Sequence, residues 1–269
     1  MTARSDAFLA LHHGDGPLLM PNAWDLGSAR ILAHLGFTAL ATTSSGFAVT
    51  LGRLDGGVTR QEVLDHCAAM AAATDLPLNG DLEDGFGHDP AGVAETMRLC
   101  VEAGLAGASV EDFTRDRAAP IYPIDQAAER VAAAVEGAKA AGGMVVVARA
   151  ENLIKGVDDL PDTIQRLQRY QEAGADVLFA PGLATADDIR TVVAAIDRPL
   201  SVLVRASSPP IAELAELGVA RISLGGSLAF VAIDAMAAAA RELKEQGTCT
   251  GLGRVPDGVT LARAALSSD

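Results

Sequence analysis

Along this chain, short apolar runs alternate with longer stretches in which apolar positions recur at helical spacing. The short runs predict strands at Leu18–Met20, Ala39–Thr42, Pro77–Asp81, Gly107–Glu111, Val145–Arg149, Asp176–Phe179, Leu200–Val204 and Ala220–Leu224. The longer ones predict helices at Ser28–Leu35, Arg60–Ala73, Gly92–Ala103, Gln126–Ala141, Leu160–Ala173, Ala186–Ala195, Ile211–Leu217 and Leu228–Glu245. Gly36, Gly104, Gly174 and Gly218 each stand between a helical pattern and the next strand, where glycine relieves a left-handed C-cap. Eight such units in series predict an α/β fold of the (β/α)₈ TIM barrel kind, with a doubly wound open sheet as the alternative. No linker interrupts the series, so residues 1–269 are expected to form one barrel domain. The pattern is lost after Glu245, where Gly247, Gly251, Gly253, Pro256 and Gly258 accumulate; 246–269 is read as a C-terminal arm that either packs or frays.

Barrels of this kind carry their chemistry where strands end and loops begin. Sorted by that rule, the polar residues of the chain collect on one face. Strand two ends in Thr42-Thr43-Ser44-Ser45-Gly46, strand three in Asp81-Leu82-Glu83-Asp84-Gly85-Phe86-Gly87, strand four in Glu111-Asp112, and strand five in Arg149-Ala150-Glu151. Carboxylates at the ends of neighbouring strands are hard oxygen ligands of the kind that suit Mg²⁺ or Mn²⁺. Asp81 is the candidate direct ligand, with Glu83 and Glu111 around it, directly or through water. Asp89-Pro90 reads instead as a helix cap. The Thr43-Ser44-Ser45-Gly46 turn offers hydroxyls and backbone N–H groups to a carboxylate or phosphate, or is an ordinary polar loop. Arg149 ends a buried β-branched strand and must find a partner in Glu151, Glu111 or a substrate. Asp55 reads by composition as a turn residue, and His88 is the one histidine of five near this rim.

Composition narrows the partners. Hydrophobic residues make up 49 % of the 269, enough for a sizeable core, and the formal net charge is −14. That charge argues against nucleic acid or an anionic membrane as the main partner, but a metal and a few arginines can reverse the sign locally. Phe230 to Ala240 is too short for a membrane span and carries Asp234. Met1 to Gly16 has no signal-peptide pattern. Cys67, Cys100 and Cys249 lack metal-type spacing and read as free thiols, so a reducing cytoplasmic setting is expected.

From roughly Pro21 to Leu243 the ordered motifs resemble the isocitrate lyase / phosphoenolpyruvate mutase superfamily. Pro21-Asn22-Ala23-Trp24-Asp25 with Ser28-Ala29-Arg30 resembles its first strand and helix, Thr43-Ser44-Ser45-Gly46 its substrate-carboxylate turn, and Leu51-Gly52-Arg53-Leu54-Asp55 its metal-proximal loop. Asp81 to Gly87 resembles its acidic metal motif, and Val110-Glu111-Asp112 and Ala148-Arg149-Ala150-Glu151 its next two strand ends. The resemblance implies Mg²⁺-dependent handling of a small α-keto carboxylate through an enolate. Arg149, Glu111 and Asp55 become the catalytic candidates. Trp24, Thr43, Ser44, Ser45, Gly46, Asp81 and Arg149 become the substrate-binding ones, and Asp81, Glu83 and Glu111 the metal ligands. It further implies a homodimer or homotetramer in which the last helix, Leu228–Glu245, is exchanged between subunits.

The chain departs from the family at the lid. The lyases carry a Cys and a His after the Glu-Asp doublet, whereas Phe113 to Pro123 contains neither. The mutases use a lid Lys and Asn and a His after strand six, whereas here that strand ends in Ala180-Pro181-Gly182. Arg115, Arg117 and Tyr122 are the groups placed to stand in for them. Three readings follow: an enzyme acting on a small α-oxo acid, a binding protein of the same family with little or no lyase or mutase activity, and a Mg²⁺-dependent aldolase of pyruvate.

Overall fold

A computed structural model describes residues 1–267. Every expected strand forms: β1 (Leu18–Leu19), β2 (Leu40–Ala41), β3 (Leu78–Asp81), β4 (Gly107–Glu111), β5 (Val145–Arg149), β6 (Val177–Phe179), β7 (Leu200–Leu203) and β8 (Arg221–Ser223). All neighbours pair in parallel, in the order β1-β8-β7-β6-β5-β4-β3-β2. A parallel bridge between Asn22 and Ala41 joins the two ends of that order, with Ala23 N donating to Ala41 O at 2.8 Å and Ala41 N to Pro21 O at 3.0 Å. The curled sheet is thus the parallel eight-stranded arrangement of a (β/α)₈ barrel.

The helices are α1 (Ala3–Ala10), α2 (Leu26–His34), α3 (Ser44–Thr50), α4 (Arg60–Ala73), α5 (Pro90–Glu102), α6 (Ile124–Ala140), α7 (Leu160–Glu172), α8 (Ala186–Ala195), α9 (Ile211–Glu216), α10 (Ser227–Gln246) and α11 (Val255–Leu266). Their starts follow from local chemistry. Asp25 and Ser28 form a reciprocal capping box on α2, as do Thr59 and Glu62 on α4. Asp89 caps α5 by accepting from Gly92 N at 2.8 Å, with Pro90 in the first turn, as its sequence suggested.

Strand alternation splits the apolar residues into two cores. Val146, Ala148, Ala108 and Val110 pack outward under the helices. Val145, Val147, Val177, Phe179, Met20 and Ala41 face inward, around Phe8 of α1. A Cβ on Gly107 would sit 2.7 Å from the Phe8 ring, so this inward position of β4 admits Phe8 only because it is glycine.

Three parts differ from the sequence reading. α1 has no counterpart in it. Thr43-Ser44-Ser45-Gly46 is not a turn: Thr43 caps α3, and Ser44 is the first residue of that helix. The C-terminal arm is helical, with a 3₁₀ segment, Thr250–Arg254, leading into α11, which packs on α2; its last two residues lie outside the described ones. The Glu242 carboxylate organises this corner, accepting from Thr250 N at 2.7 Å and Gly251 N at 2.8 Å. In α10 only Ala229 is buried, while Phe230, Val231, Met236 and Leu243 are exposed. Among the described residues no helix is long and apolar enough to cross a membrane, and Cys67 and Cys100 are buried free thiols.

Candidate active site

The alternation that fills the barrel with Val145 and Val147 also aims Arg149 inward, and the same parity aims Asp81 on β3 and Glu111 on β4. Glu111 and Arg149 are register partners across β4 and β5. Arg149 Nε lies 3.4 Å from Glu111 Oε2, its Nη1 lies 3.5 Å from Asp81 Oδ1, and it donates a hydrogen bond to Glu151 Oε1. Burial opposes the charge on Arg149, but Glu151, Glu111 and Asp81 outweigh it and hold its pKa above the ordinary arginine range. Burial also pushes the Glu111 carboxyl well above the usual carboxylate range, with Glu151 reinforcing the shift and Arg149 opposing it.

Parity also corrects the reading of the acidic doublet. Asp112 follows Glu111 and so points away from the mouth. It accepts from Tyr170 Oη at 2.5 Å, Arg166 Nη1 at 3.1 Å and Glu151 N at 2.8 Å, which makes it a clamp between β4, the β5 loop and α7.

Asp81 is held in place from the β2 side. Its backbone N–H donates to Thr42 Oγ1 at 2.8 Å, and its Oδ2 accepts from Ser44 N at 3.0 Å. Glu83 follows in a loop with left-handed backbone at Glu83, Gly85 and Phe86. Buried Arg130 of α6 pins that loop, donating to Asp84 O at 2.6 Å and Gly87 O at 3.0 Å. Burial raises the Glu83 pKa to about 7; Arg115 opposes the shift, and Asp81, Asp55 and Asp84 add to it. Asp55 therefore stands near Glu83, on an exposed loop and with no hydrogen bond of its own among the described residues.

The other candidates divide. Thr43 Oγ1 lies 3.2 Å from Ser45 Oγ at the start of α3, beside Asp81. Trp24 and Gly46 pack together and line an apolar cleft of about 200 Å³ with Val49, Ile233 and Met236, whose lining includes no carboxylate. The Phe113–Tyr122 excursion folds back on itself through an antiparallel Phe113–Ile121 bridge. Within it Arg115 reaches the rim, with Nη2 2.8 Å from Asp84 Oδ1 and 3.1 Å from Glu83 Oε2. Tyr122 instead stacks on Arg130 at 4.5 Å, and Arg117 and His88 are exposed.

Two residues were missed. Arg130 sits mid-helix and gives no rim signal in sequence. Lys155 lies in the loop after β5, and its Nζ is 3.3 Å from Glu151 Oε2. The spacing of Glu151 and Lys155, four apart, was the available clue.

The donor set suits a hard cation. Asp81 Oδ1 and Glu83 Oε1 are buried without a hydrogen-bond partner, a costly state for carboxylate oxygens that a cation relieves. Among the described residues no three His, Cys, Asp or Glu side chains close on one point. The residues therefore fit an ion that takes one or two carboxylates and completes its shell with water and ligand, as Mg²⁺ does.

Known proteins resemble this chain along most of its length. A family model described as phosphoenolpyruvate phosphomutase matches residues 8–244. An uncharacterized Mycobacterium tuberculosis protein, Rv1998c, is 32 % identical over 240 residues, 89 % of each chain. A solved structure from Burkholderia cenocepacia J2315, provisionally called a lyase/mutase, superposes with a TM-score of 0.94 at 45 % identity, covering 99 % of this chain and 96 % of that one. A structure of oxaloacetate acetylhydrolase with its product oxalate superposes with a TM-score of 0.85 at 25 % identity, covering 98 % and 94 %.

Proposed function

The chain belongs to the phosphoenolpyruvate mutase/isocitrate lyase superfamily, and from that premise we propose that it is a lyase-type enzyme dependent on Mg²⁺ or Mn²⁺. Its substrate would be a small α-keto acid of the pyruvate, oxaloacetate or 2-oxoglutarate type, and the reaction would make or break a C–C or P–C bond through an enolate. The observation that carries this reading is the meeting of Asp81, Glu111 and Arg149 at the ends of three adjacent parallel strands. Support comes also from relatives whose names specify oxaloacetate decarboxylase and 2-methylisocitrate lyase.

Asp81 would hold the cation directly, with Glu83 and Glu111 around it. When bound, the cation supplies positive charge beside the carboxylate and carbonyl oxygens of the ligand, where an enolate concentrates negative charge. The residues of the chain do the positioning. Arg149 is fixed by its carboxylates before any ligand arrives, so its guanidinium meets developing negative charge without reorganising. The Ser44 amide is already given to Asp81, which orients that carboxylate; the Thr43 and Ser45 hydroxyls, bonded to each other, keep one O–H between them that would meet the ligand's own carboxylate. Asp55 lies near Glu83 on its exposed loop.

The test is release of pyruvate or oxalate from a panel of 2-oxo and 2-hydroxy dicarboxylates and phosphonopyruvate, with Mg²⁺ present. Turnover of one member is expected, and inertness across the panel overturns the enzyme reading. One observation favours the alternative of α-keto acid binding with little or no turnover: the Phe113–Tyr122 excursion offers no Cys or His, and its Arg115 is engaged by Glu83 and Asp84. Calorimetric binding of 2-oxo acids without product would select it. The same family premise, with the exposed apolar residues of α10, supports a dimer or dimer of dimers in which α10 is covered by a second copy.

A further inference from the structure

Three cations border the carboxylate rim, and two of them serve more than one carboxylate. Arg149 serves Asp81, Glu111 and Glu151, and Arg115 serves Glu83 and Asp84. Lys155 is different. Its Nζ lies 3.3 Å from Glu151 Oε2 and 3.8 Å from the centroid of the Phe113 ring. Among the described residues its ammonium pairs only with Glu151 and donates no hydrogen bond, and Glu151 Oε2 is buried without one. An ammonium carries three N–H donors, so beyond its pair with Glu151 Lys155 keeps donors for another anion, with its side chain 30 % exposed.

The backbone under Lys155 is fixed. Glu151 N donates to Asp112 Oδ1 at 2.8 Å, Lys155 N to Glu151 O at 3.0 Å, and Val157 N to Asn152 O at 2.8 Å. Asn152 is fully buried and exchanges hydrogen bonds with Asp159, Asp162 and Thr163. The loop also lies against Gly182 beyond β6, where a Cβ would come within 2.8 Å of Leu153 Cβ. A floppy surface lysine has no such footing. The aromatic face of Phe113 removes water from one side of the ammonium and strengthens its attraction for an anion on the open side.

We infer that Lys155, held between Glu151 and Phe113, receives a second anionic group of the substrate, so that the site selects 2-oxo dicarboxylates over monocarboxylates. The inference rests on the reading of the rim as a 2-oxo acid site. With the 2-oxo acid end of a ligand at Asp81 and Arg149, Lys155 stands one carboxylate further along, beyond Glu151, where a distal carboxylate would extend. Selection thus comes from the loop after β5, with Phe113 as the backing surface, and not from a lid residue. The competing explanation is an ordinary i,i+4 pair with Glu151, which would favour no ligand over another.

The test is calorimetric titration of the full chain with Mg²⁺, using 2-oxoglutarate and 3,3-difluorooxaloacetate as dicarboxylate probes and pyruvate as the monocarboxylate. The wild type should bind at least one dicarboxylate about tenfold or more tightly than pyruvate. Lys155→Met should erase that difference by weakening the dicarboxylate, with pyruvate binding unchanged and reporting an intact fold. Lys155→Arg should keep most of the discrimination. Equal weakening of both ligand classes in Lys155→Met shows a structural role through Glu151 and overturns the inference, as does no change in either. A wild type that binds pyruvate and dicarboxylates alike overturns it while leaving the 2-oxo acid reading standing. A wild type that binds no 2-oxo acid overturns both.

Discussion

Arg149 at the end of β5 reaches across β4 to within 3.5 Å of Asp81 at the end of β3. A cation and an anion from strands that are not neighbours meet there because the strand between them ends in Glu111, which takes part in the same contact. The arrangement is a charged bridge over the barrel mouth. It exposes a carboxylate, a guanidinium and the space between them to whatever enters.

Asp81 should therefore decide ligand binding. Asp81→Ala is expected to abolish Mg²⁺-dependent binding of pyruvate or 2-oxoglutarate in calorimetry. Asp89→Ala, which removes only the cap on Gly92 N, should leave that binding intact and lower stability by about 1 kcal/mol in denaturant titration.

Glu83 makes a pH prediction whose sign is fixed. Its folded pKa is raised to about 7 from an ordinary carboxylate value near 4.5. Between those limits the folded state binds more protons than the unfolded one, so without metal this group makes stability fall as pH rises from about 4.5 to 7. Glu83→Gln should flatten that part of the profile, read from thermal midpoints in chelator. Saturating Mg²⁺ should flatten it as well, by favouring the ionised carboxylate. A wild-type slope that persists unchanged in the Gln variant would contradict the assignment.

Removing Arg149 should be costly even without substrate. Arg149→Met leaves Glu151, Glu111 and Asp81 without their shared cation in a buried setting, where breaking such a pair costs about 3–5 kcal/mol. The variant should unfold at markedly lower urea, and adding Glu151→Gln should recover part of the loss by removing one stranded charge.

The α10 helix makes the fourth prediction. Val231 and Met236 are each 66 % exposed on a helix that buries only Ala229. Light scattering after gel filtration should give a dimer or larger assembly. Val231→Glu with Met236→Glu should shift it to monomer, and an unchanged mass in the double variant would place the interface elsewhere.

Much of this was legible in the sequence because strand ends are local features. Val145–Arg149 reads as a buried strand closed by an arginine, and Gly107–Glu111 as one closed by a glutamate; both are what the structure contains. Parity along β4 could also have told that Asp112 faces opposite to Glu111. Other features depend on distant partners. Arg115 reaches Glu83 only because its backbone adopts φ 66°. Lys155 meets Phe113 only after β4 and β5 have paired. The helix at Ser44–Thr50 was hidden because Thr-Ser-Ser-Gly has turn composition, and the cap by Thr43 tips the balance. The arm was obscured by its glycines, whose helix is held by a surface on α2 that local sequence does not reveal.

Phe8 closes the barrel from the end opposite the carboxylates, and the missing side chain of Gly107 is what lets it in. The first ten residues are therefore a cork. Trimming them to ease expression would open the floor beneath the chemistry, and Gly107→Ala would expel the cork with a single methyl group. Sequence changes at that end should alter how firmly the vessel holds together, and leave the choice of what it admits to the other.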